Sequence, residues 1–195
     1  MHLAANTIRR GGVLILTAGA CAAIAATAFA GSQQLKAFQR PARAGDAVPR
    51  WAVQSFTAHY GGVVASRRIA RVSRSLRGPA ALYLVKLKRA LCLVQFDRSG
   101  RRGAGGGCSP SRYFLSSQRD VSAGGGNGFL HGVVGNDVAR VAFVDRHGRL
   151  HPLRLTPDGG FLYVCRNRNG CIDVIRAVNG YDRSGRLVSH EVVSP

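Results

Sequence analysis

Short runs of apolar residues, separated by glycine, proline and asparagine, fill the chain from residue 81 to residue 193. Runs of this length with turn-forming residues between them are typical of antiparallel β-strands. The runs are Ala81–Leu87, Leu91–Phe96, Val133–Val134, Val138–Val144, Leu150–Leu155, Phe161–Cys165, Cys171–Val178 and Arg186–Val193. The pattern therefore predicts a mainly β fold, arranged as an antiparallel sheet, a small sandwich or a partial barrel.

One segment upstream of these runs has a helical period. Apolar residues recur every three or four positions from Ala65 to Leu76, which places them on one face of a helix. Arginines occupy much of the opposite face. We therefore predict a short amphipathic helix over residues 64–77, with an irregular strand as the alternative.

The first thirty residues follow a third pattern. Arg9 and Arg10 precede an uncharged apolar run, Gly11–Ala30, which ends in small residues. This order is typical of a secretory signal peptide, and the length of the run also suits a membrane anchor. We expect residues 1–30 to form this apolar helix, cleaved after export or retained as an anchor through residues 11–30. We then expect a linker over 31–50 and a single exported β-rich domain over 51–195.

Four cysteines follow the leader: Cys92, Cys108, Cys165 and Cys171. An even number in an exported chain favours disulfide bonds. Each of the pairs Cys92–Cys108 and Cys165–Cys171 brackets a short polar segment between apolar runs, which predicts these two bonds and places the second between adjacent antiparallel strands. A zinc site is disfavoured, because its ligands usually lie about two to four residues apart within a pair. We expect neither a metal nor another cofactor.

A five-residue motif, Asp-Arg-x-Gly-Arg, recurs at residues 97–101, 145–149 and 182–186. Each copy follows the end of a predicted strand. Aspartate readily bonds nearby backbone N–H groups, and glycine accepts the positive φ that closes a bulged hairpin. The motif therefore predicts hairpin turns.

The charge of the chain is strongly positive. It holds 28 lysines and arginines against 9 aspartates and glutamates, a formal net charge of +19. A GC-rich genome explains part of this arginine content, and an anionic partner is the functional explanation. The densest group of arginines is Arg67, Arg68, Arg71, Arg74 and Arg77. We favour the genome explanation, because the arginines are spread along the chain; binding of this group to an anionic cell-envelope surface, either acidic lipid or wall polymer, is the alternative, and we do not expect nucleic acid.

Catalytic and nucleotide-binding motifs are absent from the sequence. The glycine-rich segments 103–107 and 124–128 lack the other residues of dinucleotide- and phosphate-binding loops, and we predict flexible surface loops there. Neither a Gly-x-Ser-x-Gly nor a His-Glu-x-x-His motif occurs. The sequence therefore favours a protein that is not an enzyme.

One stretch of sequence carries a family resemblance. The segment Gly132–Val141 is followed by the 145–149 turn and preceded by Leu91–Val94 and a Gly-Gly-Cys-Ser-Pro segment. Over residues 65–165 it resembles uncharacterised exported proteins of GC-rich bacteria, which carry a Gly-Val-Val-Pro-Asp-Gly-Val-Ala-Arg-Val-like strand. Here Gly135, Asn136 and Asp137 replace the Pro-Asp-Gly turn. The resemblance implies an exported β domain and no particular activity.

Three functions follow from these observations. The first is a binding or structural role at the cell surface, the second is an anion-binding module that uses Arg67–Arg77, and the third is an exported hydrolase without a recognisable motif. Arginines gathered on one exposed face would favour the second function. A cleft that gathers aspartate and histidine would favour the third.

Overall fold

A computed structural model describes residues 35–73, 79–97, 103–110, 114–115, 117–126, 128–165, 171 and 173–193. The predicted leader lies outside these residues. Within them, no helix combines the length and the apolar character needed to cross a lipid bilayer.

The described chain is mainly strand, and the predicted antiparallel β fold is confirmed. Its helices are α1 (Lys36–Gln39) and α2 (Arg50–Tyr60), with a 3₁₀ turn at Ala44–Asp46. Its strands are β1 (Val63–Val72), β2 (Ala80–Leu87), β3 (Leu91–Asp97), β4 (Gly103–Ser109), β5 (Val121–Gly126), β6 (Phe129–Val134), β7 (Arg140–Asp145), β8 (Leu150–Leu153), β9 (Gly160–Val164), β10 (Ile175–Tyr181) and β11 (Leu187–Val192).

These strands form three antiparallel sheets, and the described residues contain no closed barrel. The first sheet has the order β1-β2-β3-β4, the middle sheet β5-β6-β9, and the third sheet β11-β10-β7-β8. β1 contacts β9 and β4 contacts β5, so the first and middle sheets meet at both margins. No ladder of backbone hydrogen bonds joins them among the described residues.

The middle sheet is buried on both faces. Every residue of β6 is buried, and successive side chains of a strand point to opposite faces. Leu130 and Val134 pack in one apolar cluster with residues of the third sheet. Val133, which points the other way, packs in a second cluster with Leu82 and Leu93 of the first sheet.

Helix α2 covers the outer face of the first sheet. Ala52 packs in a third apolar cluster with Val85 and Phe96, and the ring of Trp51 meets that of Phe96 edge to face at 5.5 Å. The helix ends at Gly61, whose φ of +80° lets its N–H bond the Thr57 carbonyl. Helix α2 therefore shields part of the outer face of the first sheet.

The predicted helix over 64–77 is wrong. Residues 63–72 form strand β1, which pairs with β2, and residues 74–78 lie outside the described chain. The register shifts between Val63 and Ala65 and again between Arg68 and Ala70. These two bulges interrupt the alternation of a regular strand, so the apolar residues imitate a helical spacing.

The predicted linker is also corrected. Residues 35–50 are packed against the domain: Leu35 and Ala37 are buried in the cluster between the first and middle sheets, and Val48 is buried beneath α2. The Gln, Pro and Gly content of this segment indicated a linker. However, its few apolar residues fill gaps that only the assembled sheets create. The ordered domain therefore begins before Trp51.

Residues 103–107 and 124–126 of the two glycine-rich segments form strands instead of loops. β4 pairs with β3, and β5 pairs with β6. A Cβ at Gly106 would overlap the backbone of Leu93 and Val94. Glycine at this position therefore permits close approach of two strands, which composition alone does not distinguish from flexibility.

Both predicted disulfides are present. Cys92 and Cys108 face each other across β3 and β4, with their Cα atoms 4.1 Å apart. Cys165 and Cys171 are joined across a connection, with Cα atoms 5.3 Å apart. The strand pairing predicted for this second bond is wrong, because β9 belongs to the middle sheet and β10 to the third. The bond therefore ties two sheets together.

The described copies of the five-residue motif form the expected turns. Asp145 Oδ1 accepts bonds from the N–H groups of His147 and Arg149, at 2.8 and 2.9 Å. Asp182 Oδ1 accepts the Arg186 N–H at 3.0 Å. The glycines of both turns have positive φ, +76° at position 148 and +86° at position 185. The first copy extends into residues outside the described chain.

Candidate functional site

An arginine-lined groove runs along the edge of β1. Its arginines come from three separate segments: Arg43 precedes α2, Arg68 and Arg71 lie on β1, and Arg154 follows β8. We call this the arginine groove. It encloses about 750 Å³ and has an apolar floor that includes Ile69 and Leu162.

A bulge in β1 determines which arginines face the groove. In a regular strand, positions 68 and 71 point to opposite faces. Ile69 has no partner on β2, and this extra residue returns Arg71 to the face of Arg68. Both arginines also border a smaller depression beside Tyr83, so the basic surface continues onto the outer face of the first sheet.

A buried ion-pair network forms one wall of the groove. Arg40 donates two hydrogen bonds to Asp46, at 2.6 and 2.9 Å, and a third to Asp158 at 2.8 Å. Asp46 also accepts the backbone N–H groups of Arg43 and Arg68. The Arg40 guanidinium is the main cause that holds the pKa of Asp46 well below its usual range. Arg40 thereby fixes both carboxylates, but its single positive charge offsets only one of their two negative charges.

This network leaves the groove strongly basic. Among the described residues, none of the four groove arginines forms an ion pair with a carboxylate. Arg40 already occupies Asp46 and Asp158. Arg43, Arg71 and Arg154 are exposed to solvent. The groove therefore presents guanidinium groups that are available to an external anion.

The predicted arginine cluster is only partly gathered here. Arg67 points to the opposite face, where it donates to the Arg40 carbonyl at 3.2 Å and lies 5.7 Å from the centre of the Phe38 ring. Arg74 and Arg77 lie outside the described residues. Sequence reasoning missed Arg43 and Arg154, because neither belongs to a dense run and only the fold brings them to β1.

A second concave site lies between β4, β5, β6 and β11. It encloses about 720 Å³. Its polar lining includes His131, His190, Asp120, Glu191 and the hydroxyls of Ser122 and Ser189. We call it the histidine cleft. It gathers the aspartate and histidine residues that would favour a hydrolase.

The hydrogen bonds of this cleft do not assemble a hydrolytic pair. His190 Nδ1 bonds Asn179 Oδ1 at 2.7 Å, and Ser189 Oγ accepts the Val121 N–H at 3.1 Å. Within the described chain, no serine hydroxyl bonds a histidine, whereas nucleophilic catalysis needs a hydroxyl within reach of its base. No described group of three or more His, Cys, Asp or Glu residues is placed to hold a metal ion.

Comparisons with protein-family models, with curated proteins and with solved structures give no match to this chain. The functional argument therefore rests on the geometry and charge of these two sites.

Proposed function

We propose that this protein is a non-catalytic extracytoplasmic domain that binds an anionic polymer of the cell envelope in the arginine groove. The observation that carries this proposal is the convergence of Arg43, Arg68, Arg71 and Arg154 in one groove whose nearby carboxylates are already bound to Arg40.

The chemistry of arginine favours phosphate or carboxylate groups as the ligand. The planar guanidinium presents a rigid fork of donors that matches both anions, and it remains charged at every physiological pH. Four such groups along one groove suit a chain that repeats its anionic groups. The concave shape favours a polymer strand over the flat surface of a bilayer.

The compartment supports an envelope partner. Disulfides form and persist in oxidising, extracytoplasmic environments, and this chain has two. The formal charge of +19 also attracts anionic polymers over long range and speeds encounter.

The test is a binding assay with polyphosphate as the probe, measured by titration calorimetry at several salt concentrations. A groove variant carries Arg43→Gln, Arg68→Gln, Arg71→Gln and Arg154→Gln. A matched control carries four other exposed arginines changed to Gln: Arg50, Arg149, Arg176 and Arg183. Both variants lose the same charge, so only the position of the loss differs.

The groove variant should bind about ten- to a hundredfold more weakly, because exposed ion pairs each contribute about 0.2–1 kcal/mol. The control should retain most of the affinity, and binding of the parent should weaken as salt is added. Equal losses in the two variants would show that only net charge matters. Tighter binding to anionic phospholipid vesicles than to polyphosphate would show that lipid is the partner.

A further inference from the structure

The histidine cleft is independent of the arginine groove and has the opposite electrostatic character. Glycine-rich edge strands form two of its sides, with Gly106 and Gly107 on β4 and Gly124 and Gly125 on β5. The absence of side chains at these positions keeps the cleft open. Its volume of about 720 Å³ is ordinary for a small-ligand site.

His131 lines this cleft from the buried strand β6. It is only 6 % exposed, and its Nδ1 has no hydrogen-bond partner among the described residues. Burial lowers the pKa of His131 to about 4, so its ring is neutral near pH 7. Gly124 faces it across the sheet, where a Cβ would lie 3.4 Å from Nε2. A buried imidazole with an unsatisfied nitrogen is unusual in a purely structural role, because most buried polar groups are paired.

His190 presents an acceptor to the same cleft. Its Nδ1 lies 2.7 Å from Asn179 Oδ1, and Asn179 Nδ2 donates to Tyr181 Oη at 3.2 Å. In this amide orientation the oxygen of Asn179 faces the His190 ring. The amide oxygen can only accept, so the proton of neutral His190 is on Nδ1 and its Nε2 accepts.

Two carboxylates add negative charge at the rim. Asp120 and Glu191 both line the cleft. Burial, and next the charge of Asp120, raise the pKa of Glu191. No lysine or arginine lines the cleft within the described chain, although the protein has 28 of them.

We propose that the histidine cleft binds a small organic cation that carries an ammonium group beside hydroxyl groups, as amino sugars do. The carboxylates of Asp120 and Glu191 accept hydrogen bonds from the ammonium group, and His190 accepts a hydrogen bond from a hydroxyl group. Leu93, Phe114 and Val188, which also line the cleft, contact the carbon skeleton. The imidazole of His131, neutral near pH 7, lines the cleft without repelling the cation.

The experiment uses the exported protein in an NMR titration with glucosamine as the probe and glucose as its uncharged match. Glucosamine should shift the imidazole resonances of His131 and His190 and saturate at millimolar concentration, whereas glucose should bind at least about threefold more weakly. Glu191→Gln should weaken glucosamine binding by about three- to tenfold, the range expected for a partly exposed charged contact.

Asp173→Asn is the matched control. Asp173 is an exposed acid outside the cleft, and its substitution removes the same charge as Glu191→Gln. It should leave glucosamine binding unchanged. Any of three results would overturn the proposal. Glucose and glucosamine could cause equal resonance shifts, the shifts could lie remote from the two histidines, or the two variants could change glucosamine binding equally. Loss of glucosamine binding in the arginine-groove variant, with Glu191→Gln unaffected, would place the ligand in the groove instead.

Discussion

The guanidinium of Arg40 donates to both carboxylate oxygens of Asp46, at 2.6 and 2.9 Å. The side chains are only 14 % and 6 % exposed. The pair joins the segment after α1 to the turn before α2, and the third bond of Arg40 reaches Asp158 near the start of β9. One side chain therefore ties its own segment to a turn 6 residues later and to a connection 118 residues later in the chain.

Removing Arg40 should destabilise the protein strongly. Arg40→Met leaves the carboxylates of Asp46 and Asp158 buried without their counter-charge, and loss of one partner of a buried pair costs about 3–5 kcal/mol. Urea unfolding should show this loss in the free energy of unfolding. Arg186→Met is the control, because Arg186 pairs with Asp182 while 68 % exposed, and its loss should cost less than about 1 kcal/mol. A similar small cost for both variants would contradict the assigned role of Arg40.

The same pair predicts a dependence of stability on acid. The pKa of Asp46 is held below its unfolded value, chiefly by Arg40, so the folded state favours the ionised carboxylate. The contribution of the ionised Asp46 carboxylate to the free energy of unfolding is complete above the unfolded pKa of about 4. This contribution is lost as the pH falls below that value. The difference in unfolding free energy between the parent and Asp46→Asn should therefore be largest near neutral pH and shrink below about pH 4. A difference that stays constant to pH 2 would exclude this linkage.

The two disulfides should stabilise the domain unequally. The sequence separations are 16 residues for Cys92–Cys108 and 6 for Cys165–Cys171. In the chain-entropy relation, replacing both cysteines by serine should cost about 3 kcal/mol for the first and about 2 kcal/mol for the second. Urea unfolding measures these costs, and peptide mapping without reductant tests the pairing. A Cys92–Cys165 linkage would contradict the fold.

Gly160 should be difficult to replace where β1 and β9 meet. A Cβ on it would lie 2.8 Å from the Ile69 carbonyl oxygen, which is backbone and cannot move aside. Gly160→Ala should therefore cost about 1–3 kcal/mol through overpacking. Gly107→Ala is the control, because a Cβ at that position would have no atom within 4 Å. Comparable melting temperatures for the two variants would show that the sheets separate freely at this point.

Local chemistry allowed part of the fold to be predicted. The 145–149 and 182–186 turns depend on an aspartate and a glycine a few residues apart, so the sequence alone contains the signal. The Cys92–Cys108 bond was also accessible, since two neighbouring strands bring its cysteines together. The Cys165–Cys171 pairing was predicted correctly, but the assignment of its flanking strands to different sheets depends on packing between distant segments.

The predictions that were wrong or incomplete have a common physical origin. Each concerns a feature that only tertiary contacts create. The extra residue at Ile69 changes which side chains share a face, and no periodicity window reveals it. Arg43 and Arg154 reach the arginine groove from two segments outside β1. The environment of His131 comes from its burial in β6 opposite Gly124 of the neighbouring strand, which the sequence does not reveal.

The doubly buried middle sheet has a consequence for the folding pathway. β6 pairs with β9 across the whole of β7 and β8, so a central ladder of this domain closes a long loop. Such non-local pairing lowers folding rates, because loop-closure entropy is lost before the contacts that compensate it are made. Until β9 pairs with β6, the apolar side chains of β6 remain partly exposed to water. Folding should therefore proceed as one late, cooperative event, with refolding in the millisecond-to-second range typical of all-β topologies.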